Sequence, residues 1–351
     1  GHARVHHPME ALKPGLVPTL RIEIGDTTQV AAARRAAIER ARELDCSEED
    51  VGRVALVTTE AATNVIKHAG GGELLVSVRD WPAPGVEVIA LDRGPGFVYT
   101  TARADGFSTT GTLGQGLGAM QRMATELNVY SSALHGSIVR ALVCASTRSP
   151  TPAAAFDFGV IALPHPWESM CGDGWCCHVE GHRVAMMVVD GLGHGALAHS
   201  AASRALDDCL PLPPTPERLV ERLHGSLRGT RGAALAVVYA DLLERRLSFS
   251  GVGNIGALTT GLQESKHFVS IAGIVGHNVR TVRGFEQPWD PGQLFVMYSD
   301  GLGTQWSLRD EPELLAQHPS VVAAALYRAH NRGRDDTTVL VARLGPEQKE
   351  A

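Results

Sequence analysis

The feature that most constrains the fold is a set of four separate segments, each placing an aspartate at the edge of a strand-like apolar run. Asp190 and Asp300 directly follow such runs, whereas Asp173 and Asp335 precede them. Glycine follows Asp173, Asp190 and Asp300, which allows the backbone to turn sharply beside the carboxylate. A single Asp-Gly pair is usually an ordinary turn, but four such segments in this order predict a shared site.

Carboxylates gathered at strand ends need a partner, because buried charges are costly unless they are paired or bound to metal. Oxygen ligands of this kind suit hard divalent cations such as Mg²⁺ or Mn²⁺. The last segment offers two adjacent candidates, Asp335 and Asp336. The second half of the chain is therefore predicted to hold a divalent metal centre.

The chain length of 351 residues favours two domains, each long enough to bury its own core. A Ser-, Thr-, Pro- and Ala-rich stretch near residue 150 has no apolar periodicity and is typical of a linker. We predict an N-terminal domain over residues 15–147, a linker over 148–155 and a C-terminal domain over 156–345.

A polar stripe marks the second of two helices predicted in the first half. The first helix covers about 28–45, and Ser47 is a plausible N-cap for a second helix that reaches about Ala69. At 100° per residue, one face of this second helix carries a carboxylate, a carboxamide and two basic groups. They are Glu60, Asn64, Lys67 and His68. A solvated helix face is the alternative interpretation of this stripe.

Two glycine-rich turns follow the polar helix. Strands predicted at 73–80 and 86–92 lead into Asp92-Arg93-Gly94-Pro95-Gly96, and a second run of alternating glycines precedes a helix predicted at 119–126. Strands are also predicted at about 127–132 and 137–145. Glycines at the start of a helix let backbone N–H groups approach a phosphate chain, although ordinary turns are the alternative interpretation.

The combination of polar helix, Asp-x-Gly-x-Gly turn and glycine-rich helix start resembles the GHKL ATP-binding fold, and within it the anti-sigma-factor serine kinases, over about residues 18–147. The resemblance implies that Glu60 acts as the base toward an attacking hydroxyl, that Asn64 holds Mg²⁺, and that Asp92 accepts the adenine amino group. It implies an ATP lid over 97–113. The remaining residues expected at the ATP site are Lys67, His68, Gly94, Gly96, Gly114, Gly116, Leu117 and Gly118.

The order of aspartate motifs in the second half resembles the PP2C (PPM) phosphatases, most closely the SpoIIE-type branch with its small RsbX-like members, over about 156–345. The resemblance implies two Mn²⁺ or Mg²⁺ ions that share Asp190, the expected catalytic carboxylate, and act on a phosphoserine or phosphothreonine. The implied metal ligands are Asp173, Asp190, the Gly191 carbonyl, Asp300 and Asp335. His194 is expected to be structural or to lie behind the ligands, whereas Asn254 either lines the site or stabilises a turn.

Together the two resemblances imply a bifunctional regulator in which a serine kinase-like domain and a phosphatase domain act on a STAS-type protein in sigma-factor signalling. Fusion would raise the concentration of each site near a common partner. One alternative is that the N-terminal domain is a non-catalytic, ATP-responsive module that docks a sigma factor or a STAS protein. Another is that it regulates only the adjacent phosphatase. A homodimer is a further possibility implied by the resemblance to the kinases.

Composition bears on the partners and the cellular location that we expect for the chain. The net charge of −6 argues against a nucleic-acid partner, and no apolar stretch is long enough for a membrane span or a secretory signal. The six cysteines form no CxxC pair and suit reduced thiols, so a cytoplasmic location is expected. The two resemblances imply the class α+β, with a sheet covered by helices followed by a β-sandwich flanked by helices.

Overall fold

The computed structural model describes residues 14–95, 113–132, 136–147 and 156–345. These residues form three five-stranded sheets. The strands are β1 (Leu20–Ile24), β2 (Gly72–Arg79), β3 (Gly85–Asp92), β4 (Glu126–Ser132), β5 (Gly136–Cys144), β6 (Phe156–Leu163), β7 (Asp173–Glu180), β8 (Arg183–Gly191), β9 (Ala233–Asp241), β10 (Arg246–Val252), β11 (Gly256–Thr260), β12 (Ser265–His267), β13 (Phe285–Pro288), β14 (Leu294–Tyr298) and β15 (Thr337–Leu344). The helices are α1 (Thr27–Glu43), α2 (Glu48–Ala69), α3 (Leu113–Met123), α4 (Ala196–Asp207), α5 (Pro216–Ser226), α6 (Pro312–Leu315) and α7 (Pro319–His330), after a 3-10 turn at Pro14–Leu16.

The N-terminal sheet has the strand order β1-β2-β3-β5-β4, with every pair of neighbouring strands antiparallel. Helices α1, α2 and α3 bury their apolar faces against one side of it. Asp26 and Ser47 cap the first two helices through their side chains, and α2 ends at Gly70, whose φ of 71° suits glycine. The expected sheet covered by helices is confirmed.

The C-terminal domain stacks two sheets, ordered β13-β10-β9-β8-β7 and β12-β11-β14-β15-β6. Aromatic and branched side chains from both sheets meet between them. Helices α4 and α5 cover the outer face of the first sheet. This arrangement is the flanked β-sandwich that the sequence predicts.

Helix α7 lies between the two domains. Its residues from Pro319 to Tyr327 are all buried, as expected of a helix that is apolar on every side. One side packs on β6 and β15 of the sandwich, and the other packs on β3 and β5 of the N-terminal sheet. A helix of the C-terminal domain therefore covers the second face of the N-terminal sheet, a contact that the sequence did not predict.

A buried cluster of charges holds this contact together. Glu87 is fully buried and accepts from Arg140 Nε at 2.6 Å, from Arg79 Nη1 at 3.3 Å and from Ser320 Oγ at 2.8 Å. Burial opposes ionisation of Glu87, but Arg79 and Arg140 outweigh it and lower its pKa to about 2. Because Ser320 belongs to α7, the cluster links the two domains directly.

Element boundaries mostly match the sequence prediction, with one clear difference. The helix predicted at 119–126 instead spans Leu113–Met123, and Glu126 begins β4. The alternating glycines therefore lie within the first turns of α3. Within the described segments, no helix is both long enough and apolar enough to span a membrane.

Candidate nucleotide and metal sites

The polar stripe of α2 faces α3 at a glycine. A Cβ built on Gly116 would lie 3.0 Å from Asn64 Oδ1 and 3.0 Å from Glu60 Oε2. A larger residue at this position would crowd both side chains, so glycine allows α3 to pass close to α2. The fold thus brings Glu60 and Asn64 beside the glycine-rich helix start.

A cavity lies between α2, the end of β3 and α3. Five of the predicted nucleotide-site residues line it, namely Asn64, His68, Asp92, Gly94 and Leu117. The Asp92 carboxylate accepts from the Gly94 backbone N–H at 2.8 Å, which fixes its orientation at the cavity edge. One carboxylate, one carboxamide and an apolar wall therefore share this cavity.

The other predicted residues of this site lie away from the cavity lining or outside the described part of the chain. Lys67 is exposed and is not among the residues that line the cavity, whereas Gly114 and Gly118 lie on α3. Gly96 and residues 97–112 of the predicted lid lie outside the described part of the chain.

Sequence reasoning missed the cavity wall contributed by β5. Ser137 and Val139 line the cavity, and Ser137 is the register partner of Asp92. The strand predicted at 137–145 carries no motif of its own. Only its pairing with β3 could have identified Ser137 and Val139 as residues of the cavity wall.

The aspartates of the second half converge at one end of the sandwich. Asp173 and Asp190 are direct partners in the β7–β8 register. Ser299 Oγ donates to Asp173 Oδ2 at 2.6 Å, and Asn254 Nδ2 donates to Asp300 Oδ2 at 2.7 Å. Asn254 thus contacts the aspartate cluster, which was one of its two predicted placements.

The adjacent pair at 335 and 336 differs in environment. Asp336 is buried, and its Oδ1 accepts from the His165 backbone N–H at 2.8 Å. Asp335 is half-buried and acts electrostatically on both Asp190 and Asp300. The Asp336 backbone N–H in turn donates to Asp335 Oδ1 at 2.9 Å, so backbone donors engage both carboxylates of the pair.

Burial, together with mutual repulsion, raises the pKa values of the cluster. Burial, followed by the charges of Asp173, Asp300, Asp335 and Asp336, raises the pKa of Asp190 to about 9. Burial also raises the pKa of Asp173 to about 8 against the opposing hydrogen bond from Ser299. Divalent cations would relieve this repulsion, so the donor set fits hard metal ions.

The side chains as they stand do not form a complete ligand shell. Among the described residues, no three His, Cys, Asp or Glu side chains converge closely enough to hold one ion.

The segment from 190 to 195 is packed against α4 and a neighbouring loop. A Cβ on Gly191 would lie 2.1 Å from the Ala198 carbonyl oxygen, so only glycine fits there. His194 Nδ1 is 2.8 Å from Glu168 Oε1, and its ring stacks on His165 at 4.6 Å. These contacts agree with the structural placement predicted for His194.

Comparison with known proteins gives a separate match for each domain. The model of the histidine kinase-like ATPase domain matches residues 25–142, and the model of stage II sporulation protein E (SpoIIE) matches residues 180–345. The chain is 34% identical over 115 residues to the serine/threonine-protein kinase RsbT of Bacillus subtilis, covering 32% of this chain and 86% of RsbT.

The second half matches phosphatases. It is 24% identical over 190 residues to the phosphoserine phosphatase RsbX of Bacillus subtilis, covering 53% of this chain and 93% of RsbX. A crystal structure of RsbX in complex with magnesium shares the fold at 21% identity and a TM-score of 0.50, covering 54% of this chain and 96% of that one. The chain therefore belongs to the histidine kinase-like ATPase family through an RsbT-like N-terminal domain, to which it joins a SpoIIE-type PP2C phosphatase domain.

Proposed function

We propose that the chain is a bifunctional partner-switching regulator that phosphorylates and dephosphorylates a STAS-type protein in sigma-factor signalling. The observation that carries the proposal is the presence of two separate sites in one chain. One is the cavity edged by Asn64 and Asp92, and the other is the aspartate cluster around Asp190. Relatives of the two domains are a serine/threonine kinase and a phosphoserine phosphatase.

In the phosphatase site, Asp173, Asp190, the Gly191 carbonyl, Asp300 and Asp335 are proposed to hold two Mg²⁺ or Mn²⁺ ions. Such ions supply Lewis acidity at the phosphoryl group and lower the pKa of the attacking water. Ser299 and Asn254 orient two of the carboxylates through the hydrogen bonds described above. The chain itself thus contributes ligand charge and ligand orientation.

In the kinase-like site, Asp92 is proposed to accept the adenine amino group, and Asn64 to hold the Mg²⁺ that accompanies ATP. Glu60 lies beside Gly116 and Asn64, where it can accept the proton of an incoming serine hydroxyl. Phosphoryl transfer depends mainly on positioning and charge neutralisation, so a small site of this kind suffices.

The phosphatase proposal is tested with p-nitrophenyl phosphate and Mn²⁺. The parent chain is expected to release nitrophenol only when Mn²⁺ is present, and Asp190→Ala is expected to release almost none. Absence of metal-dependent hydrolysis by the parent would overturn the assignment.

The kinase proposal is tested by incubating a STAS-domain protein with Mg²⁺-ATP and the chain in an Asp190→Ala background, so that the proposed phosphatase site cannot remove the product. Glu60→Ala is expected to abolish serine phosphorylation while ATP binding persists. If Glu60→Ala phosphorylates as fast as the parent, Glu60 is not the base. If the parent never phosphorylates such a protein, the domain is a binding module.

A second candidate function, nucleotide-dependent regulation of the adjacent phosphatase, is favoured by one contact. Arg328 on α7 donates to the Asp92 backbone carbonyl at 2.8 Å, immediately behind the adenine-site carboxylate. The same helix ends at His330, whose carbonyl accepts from Gly303 beside the metal segment, and Arg332 N–H donates to Gly301 O. Measuring phosphate release during an ATP titration tests this candidate.

A further inference from the structure

Four large apolar side chains are exposed around the aspartate cluster. They are Trp167 (89% exposed), Met170 (39%), Leu192 (48%) and Leu197 (57%), and we call them the apolar rim. Trp167 and Met170 lie in the segment between β6 and β7, and the other two lie in and just after the Asp190 motif. Single exposed apolar residues are common, but several at the edge of one site indicate a contact surface.

The segment that carries Trp167 is anchored to the aspartate cluster at both ends. At its start, the His165 backbone N–H donates to Asp336 Oδ1 at 2.8 Å. At its end, Gly172 O accepts from the Gly191 backbone N–H at 3.0 Å, and a backbone hydrogen bond joins Gly172 to Asp336. Trp167 therefore projects from a short loop whose two ends are held by Asp336 and by the Gly191 backbone.

Side-chain contacts join this loop to the Asp190 motif. Glu168 pairs with His194 at 2.8 Å, and the His165 ring stacks on that of His194. Glu168 also packs over Gly195, just before Leu197 on the first turn of α4. The two halves of the apolar rim are thus held beside one another at the mouth of the site.

The geometry of the reaction limits what can cover this surface. A phosphoserine side chain is short, so the protein that carries it must bring its own surface against the mouth of the metal site. The apolar rim is continuous with that mouth, and tryptophan is the residue type most enriched in binding hot spots. A small phosphorylated molecule could reach the carboxylates without contacting Trp167.

We propose that the apolar rim docks the phosphoprotein substrate by packing against apolar residues that surround its phosphorylated serine or threonine. This proposal rests on the phosphatase function proposed above. It assigns selection between protein and small-molecule substrates to Trp167 and Leu197, which are exposed and are not among the proposed metal ligands.

The test compares two rim variants, Trp167→Ala and Leu197→Ser, with a matched control. Leu243→Ser is the control, because Leu243 is 73% exposed in the turn after β9. The register pairs Arg183 with Asp241 and Asp190 with Ala234, so this turn lies at the opposite end of the same sheet, about 23 Å from Asp190. Each variant is assayed on p-nitrophenyl phosphate and on a serine-phosphorylated STAS-domain protein, with Mn²⁺.

The rim variants are expected to keep parental rates on p-nitrophenyl phosphate while kcat/KM for the phosphoprotein falls roughly ten- to thirtyfold. The control is expected to match the parent on both substrates. Unchanged phosphoprotein turnover, or an equal loss on both substrates, would overturn the docking proposal. A parent that hydrolyses neither substrate would instead overturn the phosphatase function.

A binding measurement keeps the docking proposal testable without turnover. The other four tryptophans are buried or half-buried, so acrylamide quenching reports mainly on Trp167. Adding the phosphoprotein in EDTA is expected to protect the parent from quenching and to have little effect on Trp167→Ala. Protection that instead follows the concentration of this chain alone, with a matching dimer in sedimentation, would assign the rim to self-association and overturn the proposal.

Discussion

Asn254 shows how one uncharged side chain can set the behaviour of a charged site. Its amide donates to Asp300 Oδ2 at 2.7 Å, and this hydrogen bond favours the ionised carboxylate. Burial and the charge of Asp335 act in the opposite direction and raise the pKa of Asp300. Outer partners of this kind orient metal ligands and tune their affinity. Asn254 therefore matters for metal binding although it is not an expected ligand.

We expect Asn254→Ala to raise the Mn²⁺ concentration needed for half-maximal p-nitrophenyl phosphate hydrolysis by about ten- to hundredfold. The maximal rate at saturating Mn²⁺ should change much less, because the proposed ligands remain. A metal titration measures both quantities. A loss of maximal rate that added Mn²⁺ cannot restore would place Asn254 in the reaction itself.

The residue scale is also where the sequence was most informative. Glycine beside each of three aspartates indicated carboxylates at strand ends, and the β7–β8 register places Asp173 opposite Asp190. The sequence pattern could not show the contact between Asp336 and His165, because the two residues are 171 positions apart.

Among the elements, α7 has the greatest influence on how the two domains meet. Its apolar residues face both sheets, and Ser320 places a hydroxyl within the Glu87 cluster. Removing one member of a buried ionic cluster leaves the remaining charges without compensation. The stability of this contact should therefore depend on Glu87.

Glu87→Gln is expected to destabilise the chain by about 3–5 kcal/mol, because it leaves Arg79 and Arg140 buried without their shared carboxylate. Urea denaturation measures the change. Glu39→Gln, an exposed position on α1, is the matched control and should stay within about 0.5 kcal/mol of the parent. Equal stabilities for both variants would contradict the role given to the cluster.

The same cluster predicts a pH dependence of stability. Because folding lowers the pKa of Glu87 from 4.5 to about 2, its contribution is fully present above about pH 4.5 and is lost as the pH falls toward 2. The stability difference between the parent and Glu87→Gln should accordingly shrink over this range. A difference that stays constant from pH 5 to pH 2.5 would contradict the assignment.

Element boundaries were largely predictable, whereas the partner of the N-terminal sheet was not. Ser47 signalled the start of α2, and the strand-like runs at 73–80 and 86–92 located β2 and β3. In the sequence, three charged residues of these strands resemble solvent-facing positions, namely Arg79, Glu87 and Arg140. The helix that buries them lies more than 170 residues further along the chain. A prediction made domain by domain could not identify that contact.

At the scale of the whole molecule, one helix connects the proposed ATP site to the proposed metal site. Arg328 contacts the backbone of Asp92, and the end of α7 contacts the segment that follows Asp300. A change in the position of the Asp92 backbone on ATP binding would therefore alter its contact with Arg328 on this helix. Coupling of this kind is reciprocal in binding free energy.

ATP is therefore expected to change the Mn²⁺-dependent rate on p-nitrophenyl phosphate several-fold in the parent, and Arg328→Ala should remove most of the effect. Arg218→Ala, an exposed position on α5, is the matched control and should respond as the parent does. An unaltered ATP response in Arg328→Ala would show that the coupling does not pass through this contact.

The central claim, that one chain adds phosphate to a protein and removes it again, is tested most directly by intact-mass spectrometry of a STAS-domain protein. The protein is first incubated with the chain and Mg²⁺-ATP, then freed of ATP and supplied with Mn²⁺. We expect one phosphoryl group to appear in the first step and to disappear in the second. Glu60→Ala should add no phosphoryl group, whereas Asp190→Ala should add one and leave it in place. A mass that changes in neither step would contradict the central claim.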